Sequence, residues 1–194
     1  MYVKSLLNLI EYPPEPYEKI VIIVATSEGL SMWRIGRRLW AWITPMRNIS
    51  RKGFEELYEK IPGPKPSFED IWRLTGSNPK MLSMLYLAKR SVKSVAKLIV
   101  RSRAITKDFV SRWRQYLEEA VEDPDALIEE GVSEGLRHVL IEKNLIVYDM
   151  YSRNPDLWVD EPPPEKGPEL GIGRCAAWQT PLHREAVKKA LQSA

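Results

Sequence analysis

YEKIVIIVATSEG, residues 17–29, carries an unbroken apolar run from Ile20 to Ala25, rich in β-branched residues. The run stops on the small polar group Thr26-Ser27-Glu28-Gly29. A strand without polar alternation is one buried on both faces, normally inside a parallel sheet with helices above and below it. Such a strand needs a neighbour on either side. The fold therefore turns on whether the remaining residues can supply them.

Upstream, Met1 to Tyr12 reads as a helix with Val3, Leu6, Leu7 and Ile10 on one stripe, broken by the prolines of YPPEP. Downstream, a Trp- and Arg-rich segment interrupted by Pro45 predicts a short helix and an extended piece. Ser50 then caps a helix over RKGFEELYEKI, and Ser67 caps another over FEDIWRLT. In TGSNPKMLSMLYLAK the glycine ends one helix, Asn78 caps the next, and Pro79 takes its first position, where a missing N–H costs nothing. Val92 to Val100 has helical apolar spacing, Thr106 opens KDFVSRWRQYLEEAVE, and Asp123-Pro124 restarts the chain as DALIEEG. The last third changes character. A capped helix, SEGLRHVLIEKN, leads into an apolar strand over Leu145 to Asp149. A Pro-, Gly- and acid-rich loop follows, then a second strand, RCAAWQ, and a Thr180-Pro181 cap before the final helix. Helix, strand, long loop, strand and helix is the tail of a winged-helix domain.

The chain has 194 residues, 44% hydrophobic and 28% charged, enough for a substantial core. One cysteine, Cys175, rules out a disulfide framework and suits a reducing cytoplasm. The two histidines stand far apart, without metal-ligand spacing. No apolar stretch reaches the roughly 18 residues of a membrane span, and no secretory signal is evident. The net charge of +3 is unevenly distributed. Every charge between Glu28 and Glu55 is positive, and Lys80 to Arg114 holds one acid, Asp108, before an acidic block from Glu118 to Glu134. Such blocks either pair within the fold or mark an electropositive face that meets phosphate.

After the first strand only three strand candidates remain, and two belong to the terminal hairpin. None can flank Ile20 to Ala25 as parallel partners through right-handed crossovers. The residues therefore read as mixed α/β, mostly α, with the sheet neighbours of the first strand expected outside them.

The order of KIVIIVATSEG, a basic Trp-rich segment, SRKGFEELYEKIPG, FEDIWRLTGSNPKML and a terminal winged helix resembles the archaeal-type P-loop ATPases, in the signal-transducing (STAND) branch of the AAA+-like ATPases. The resemblance implies a remnant of a P-loop α/β core (one helix plus one buried strand) over residues 1–50, a helical lid over 51–122 and a C-terminal winged helix over 123–194, with Ile20 to Ala25 as the sensor strand. It places Thr26 and Ser27 where polar side chains face the γ-phosphate and attacking water, as the C-terminal end of a parallel strand does. It also implies that TGSNP is the lid element abutting the nucleotide base, with Gly76, Asn78 and Pro79 as contacts. Ser77 there replaces a glycine, which strains the backbone if the position needs positive φ. Arg34 and Arg37 become phosphate sensors, with Arg38 beside them. The same residues also read without a ligand: Thr26 and Ser27 as a turn, TGSNP as a C-cap followed by an N-cap, the arginines as surface charges.

No Gly-Lys-Ser or Gly-Lys-Thr occurs in the chain, so the phosphate-binding loop is absent from these residues. LGIGR, residues 170–174, is too short and lies in the wing. NLIVYD, residues 144–149, imitates the magnesium-binding strand but falls beyond the lid and belongs to the winged helix. The resemblance places the family's acidic pair upstream of Met1. The chain is thus expected to be the C-terminal part of such an ATPase, unable alone to bind or hydrolyse ATP, with ATP and Mg2+ entering only when a P-loop core completes it. A P-loop-bearing partner chain or an intact paralogue is the expected partner. The alternatives are a nucleic-acid module using Lys93, Lys97, Arg101 and Arg103, disfavoured by the acidic wing, and an interaction remnant docking on an intact relative through its strand edge.

Overall fold

The computed structural model describes residues 44–148 and 153–194, with Tyr12, Pro14, Glu15, Val21 and Ile23 before them. The helix read over Met1 to Tyr12, the helix and extended piece read after Gly29, and candidates Thr26, Ser27, Arg34 and Arg37 lie outside the described residues. Of the apolar run only Val21 and Ile23 are described, and they correct the expected burial. They are 72% and 92% exposed and belong to no strand. The reason is the one that makes the run conspicuous: no sheet among the described residues reaches it.

Seven α-helices and one two-stranded antiparallel sheet make up the described architecture, mixed α/β and mostly α. The helices are α1 (Arg51–Glu59), α2 (Phe68–Thr75), α3 (Pro79–Leu87), α4 (Val92–Ser102), α5 (Lys107–Glu122), α6 (Glu134–Glu142) and α7 (Pro181–Ser193). Their starts follow from local chemistry. Ser50, Ser67, Asn78, Ser91, Thr106 and Ser133 each turn a side-chain oxygen onto a backbone N–H of the first turn, satisfying a donor that the helix itself cannot. Thr180 precedes α7 but makes no such bond; its hydroxyl engages His183 instead. The segment after Asp123-Pro124 is a 3-10 turn, Pro124–Ile128, and not an α-helix.

β1 (Ile146–Tyr148) pairs antiparallel with β2 (Ala176–Trp178), with Val147 opposite Ala177. Both strands are shorter than the apolar runs that contain them. The intervening loop holds two 3-10 turns, Pro155–Leu157 and Pro168–Leu170, and isolated bridges that bring Ile172 beside Gly167 and Ala177.

Apolar side chains gather in two main clusters. Phe54, Tyr58, Ile71, Leu82, Leu85, Val95 and Ile99 join α1 to α4. Leu117, Leu127, Leu136, Leu140, Ile146 and Trp178 join α5, α6 and the strands. Helix α7 enters both, Leu182 and Ala186 in the first, Val187, Ala190 and Leu191 in the second. Trp178 also donates its indole N–H to the Ala120 carbonyl at 3.0 Å, so this large ring is buried with its polar atom satisfied.

The loop before β2 is held by one carboxylate. Asp125 accepts the backbone N–H groups of Arg174, Cys175 and Ala176 at 2.6, 2.9 and 3.1 Å. Gly173 makes this approach possible, because a Cβ there would lie 2.3 Å from Asp125 Oδ1. Burial alone would raise the Asp125 pKa, but the three N–H donors and Lys166 outweigh it and hold the carboxyl below its usual value. The folded pKa is depressed, so this stabilisation is complete above the unfolded value of about 3.9 and is lost as pH falls through the folded value. Asp125→Asn is expected to cost about 2 kcal/mol at pH 7. Urea unfolding should show that gap to wild type shrinking at about pH 3; an equal gap at both pH values would refute the charge-based account.

Candidate functional site

The turn between α2 and α3 carries the motif singled out in the sequence. Helix α2 ends because Gly76 adopts left-handed backbone, φ 61°, with its N–H bonded to the Trp72 carbonyl at 2.8 Å. Ser77 follows at φ 63°, also left-handed and 6% exposed. Two successive left-handed residues reverse the chain before Asn78 caps α3 by accepting the Met81 N–H at 3.0 Å. The serine thus meets the condition for strain: a Cβ in this region costs about 1 kcal/mol that glycine does not incur.

Side-chain hydrogen bonds tie the turn to its surroundings. Thr75 donates its hydroxyl to the Ile71 carbonyl at 2.7 Å. Asn48 donates its amide to the Gly76 carbonyl at 2.7 Å and accepts the Asn78 amide at 2.7 Å, closing a ring between the segment before α1 and the turn. Pro181, the first residue of α7, covers Gly76: a Cβ on the glycine would stand 2.9 Å from Pro181 Cδ. Pro79 and Lys80 face solvent.

Beside Pro181, the buried His183 places Nδ1 2.8 Å from the Thr180 hydroxyl. Burial first, then Arg103 and Lys80, lowers its pKa to about 4, so the ring is neutral at pH 7. On the solvent side of α4, Lys93, Lys97 and Arg101 are exposed, while Arg103 forms the C-cap and is half-buried. Lys189 of α7 joins them, donating Nζ to the Lys93 carbonyl at 3.1 Å. Partial desolvation, then Lys97 and Lys93, lowers its pKa. No ion pair between described residues joins this basic face to the acids of α5.

The structure therefore gathers Gly76, Asn78 and Pro79 into one turn and sets Lys93 and Lys97 on one helix, but the turn and the lysines are separate features. Sequence reading missed Asn48, Lys189 and the approach of Pro181 to Gly76, contacts that span 28 to more than 90 residues and carry no local signal.

Residues 1–85 match the sequence model of an ATPase domain found predominantly in Archaea. The matched segment is less than half of the 194 residues; it ends inside α3 and includes the whole TGSNP turn. Comparison with curated proteins and with solved structures returned no match. Among the described residues no helix is long and apolar enough to cross a membrane.

The turn geometry makes a paired expectation. Ser77→Gly should raise the unfolding free energy by about 1 kcal/mol. Gly76→Ala should lower it by about 3 kcal/mol through positive φ and overlap with Pro181. Urea denaturation checks both, and a neutral or destabilising Ser77→Gly would mean that the serine side chain is in use.

Proposed function

We propose that this chain contributes the sensor, lid and C-terminal winged-helix parts of an archaeal-type ATPase of the AAA+-like signal-transducing class. In this reading it takes part in nucleotide chemistry only with a phosphate-binding loop from outside these 194 residues. The observation that carries the reading is the ATPase match over residues 1–85 in a sequence holding no Gly-Lys-Ser or Gly-Lys-Thr. Without that loop no lysine and nest of N–H groups neutralises a triphosphate, and no hydroxyl of that motif ligates magnesium.

On this reading the described residues hold only part of a nucleotide site. In the TGSNP turn, Pro181 occupies the space beside Gly76, and the Asn78 amide is engaged by Asn48 and the α3 N-terminus. The turn suits a lid contact presented to a partner better than a self-contained pocket. The antiparallel pairing of β1 with β2 between α6 and α7 supports the winged-helix part of the reading. It also supports assigning residues 144–148 to the terminal hairpin and not to a magnesium strand. A cytoplasmic location and a P-loop-bearing partner follow from the same reading.

Isothermal titration of the purified chain with Mg-ATP is expected to show no binding tighter than about 100 μM, a weak interaction by affinity arithmetic. Micromolar binding by the chain alone would overturn the proposal.

One observation favours a second reading: Lys189 completes, with Lys93 and Lys97, a basic face built from two helices. Such a face suits the phosphate backbone of nucleic acid. If it does bind, Lys93→Gln with Lys97→Gln should weaken a low-salt gel shift of duplex DNA and flatten its salt dependence. An absent shift at low salt dismisses this reading.

A further inference from the structure

Arg47 lies in the segment leading to α1 and is half-buried, but its Nη2 is fully buried and has no hydrogen-bond acceptor among the described residues. Burial, and after it the neighbouring Arg153 guanidinium, lowers its pKa to about 10. Arg153 is itself fixed. Its Nε donates to the Pro164 carbonyl at 3.0 Å, Nη1 to the Arg174 carbonyl at 2.9 Å and Nη2 to the Gly173 carbonyl at 3.0 Å. These three acceptors are neutral carbonyls, and none of them carries a compensating charge.

Hydrogen bonds join the segment that carries Arg47 to the loop that carries Arg153. Val159 donates its N–H to the Pro45 carbonyl at 3.0 Å, and Ser50 donates its N–H to Asp160 Oδ2 at 2.6 Å. Two acids of this region are already engaged with backbone donors, Asp160 with Ser50 and Asp125 with residues 174–176. No ion pair between described residues includes Arg47 or Arg153. Buried donors are almost always paired, and a second cation beside an unpaired guanidinium adds repulsion. An oxyanion removes both costs at once, because guanidinium forks match the oxygens of a phosphate group.

We propose that Arg47 and Arg153 form a binding site for a phosphate group where the segment before α1 meets the loop between β1 and β2. A bound anion there would latch the ATPase-related part of the chain to the C-terminal hairpin. The site does not depend on the nucleotide reading above. Its ligand chemistry is shared by free phosphate and by the terminal phosphate of a nucleotide.

Thermal unfolding of the full chain in inorganic phosphate, against sodium chloride at matched ionic strength and pH, tests it. Phosphate about tenfold above its Kd is expected to raise Tm by about 4 °C. Arg47→Gln should abolish that shift. Arg47→Lys, which keeps the charge but loses the fork, should weaken phosphate binding about tenfold in a phosphorus NMR titration, and it carries the comparison if the glutamine variant does not fold. A parallel titration with magnesium-free ADP separates the sources: tighter, Arg47-dependent binding than phosphate assigns the site to a nucleotide, and no gain over phosphate assigns it to the free ion. Either supports the site. No phosphate-specific shift in wild type, or an undiminished shift in both variants, overturns it. That failure would leave the ATPase reading untouched, whereas micromolar Mg-ATP binding defeats only the latter.

Discussion

Helix α7 presents two adjacent stripes to two different cores. Leu182 and Ala186 pack among the side chains of α1 to α4, while Val187, Ala190 and Leu191 pack among those of α5, α6 and the strands. Each cluster alone is small, and each loses part of its wall if α7 moves away. Burial of apolar area is the dominant favourable term in folding, so one helix serving both clusters ties their stabilities together. Pro181 extends that coupling to the backbone, because it rests on the side of Gly76 where any other residue would carry a Cβ. The start of α7 and the α2–α3 turn are therefore shaped by each other.

Where apolar burial ends, charge and hydrogen bonding take over. The loop from Arg153 to Cys175 contains little regular structure and only a small satellite cluster around Leu170 and Ile172, against which Trp72 packs. Its path is set by Asp125 collecting three N–H groups, by Arg153 collecting three carbonyls, and by Lys166 pairing with Asp123 at 2.5 Å. Each charged group satisfies several main-chain groups that would otherwise depend on water. Such a loop keeps its shape through a few multivalent contacts, which explains how it can be rich in Pro, Gly and acids and still be ordered over residues 153–175.

What the sequence makes legible is what local chemistry decides. Ser50, Ser67, Asn78 and Thr106 could be read as caps because the bond each makes spans only three residues. Gly76 could be read as a helix end because its conformation is a property of its own backbone. The antiparallel hairpin was legible from two apolar runs around a breaker-rich loop. Thr180 misled for the opposite reason: its hydroxyl had a competing partner in His183, three residues on, in a buried place that no local pattern announces. Asp125 read as one acid in a solvated block, yet its partners lie about 50 residues away. The Asn48–Asn78 ring and the approach of Lys189 to Lys93 are of the same kind, and long-range polar closure leaves no periodicity to detect.

The ATPase match and the hydrophobic clusters do not share a boundary, and that mismatch constrains any mechanism. The match stops at residue 85. The cluster containing Phe54, Ile71 and Leu82 from the matched part continues without interruption into Val95, Ile99, Leu182 and Ala186 beyond it. If, as proposed, these helices form a lid that shifts with nucleotide state, they must move as a packed body, since interiors are close-packed and yield by discrete rearrangement. Moving α1 to α3 as that body carries α4 and the front half of α7 with it, and α7 in turn pulls on the core of the C-terminal hairpin. The alternative is to separate Gly76 from Pro181 and break the Asn48 ring, which exposes a left-handed serine and a buried carbonyl together. Of the two routes, the first keeps the buried contacts intact, so motion arising at the α2–α3 turn is transmitted to the C-terminal half and not absorbed where it starts.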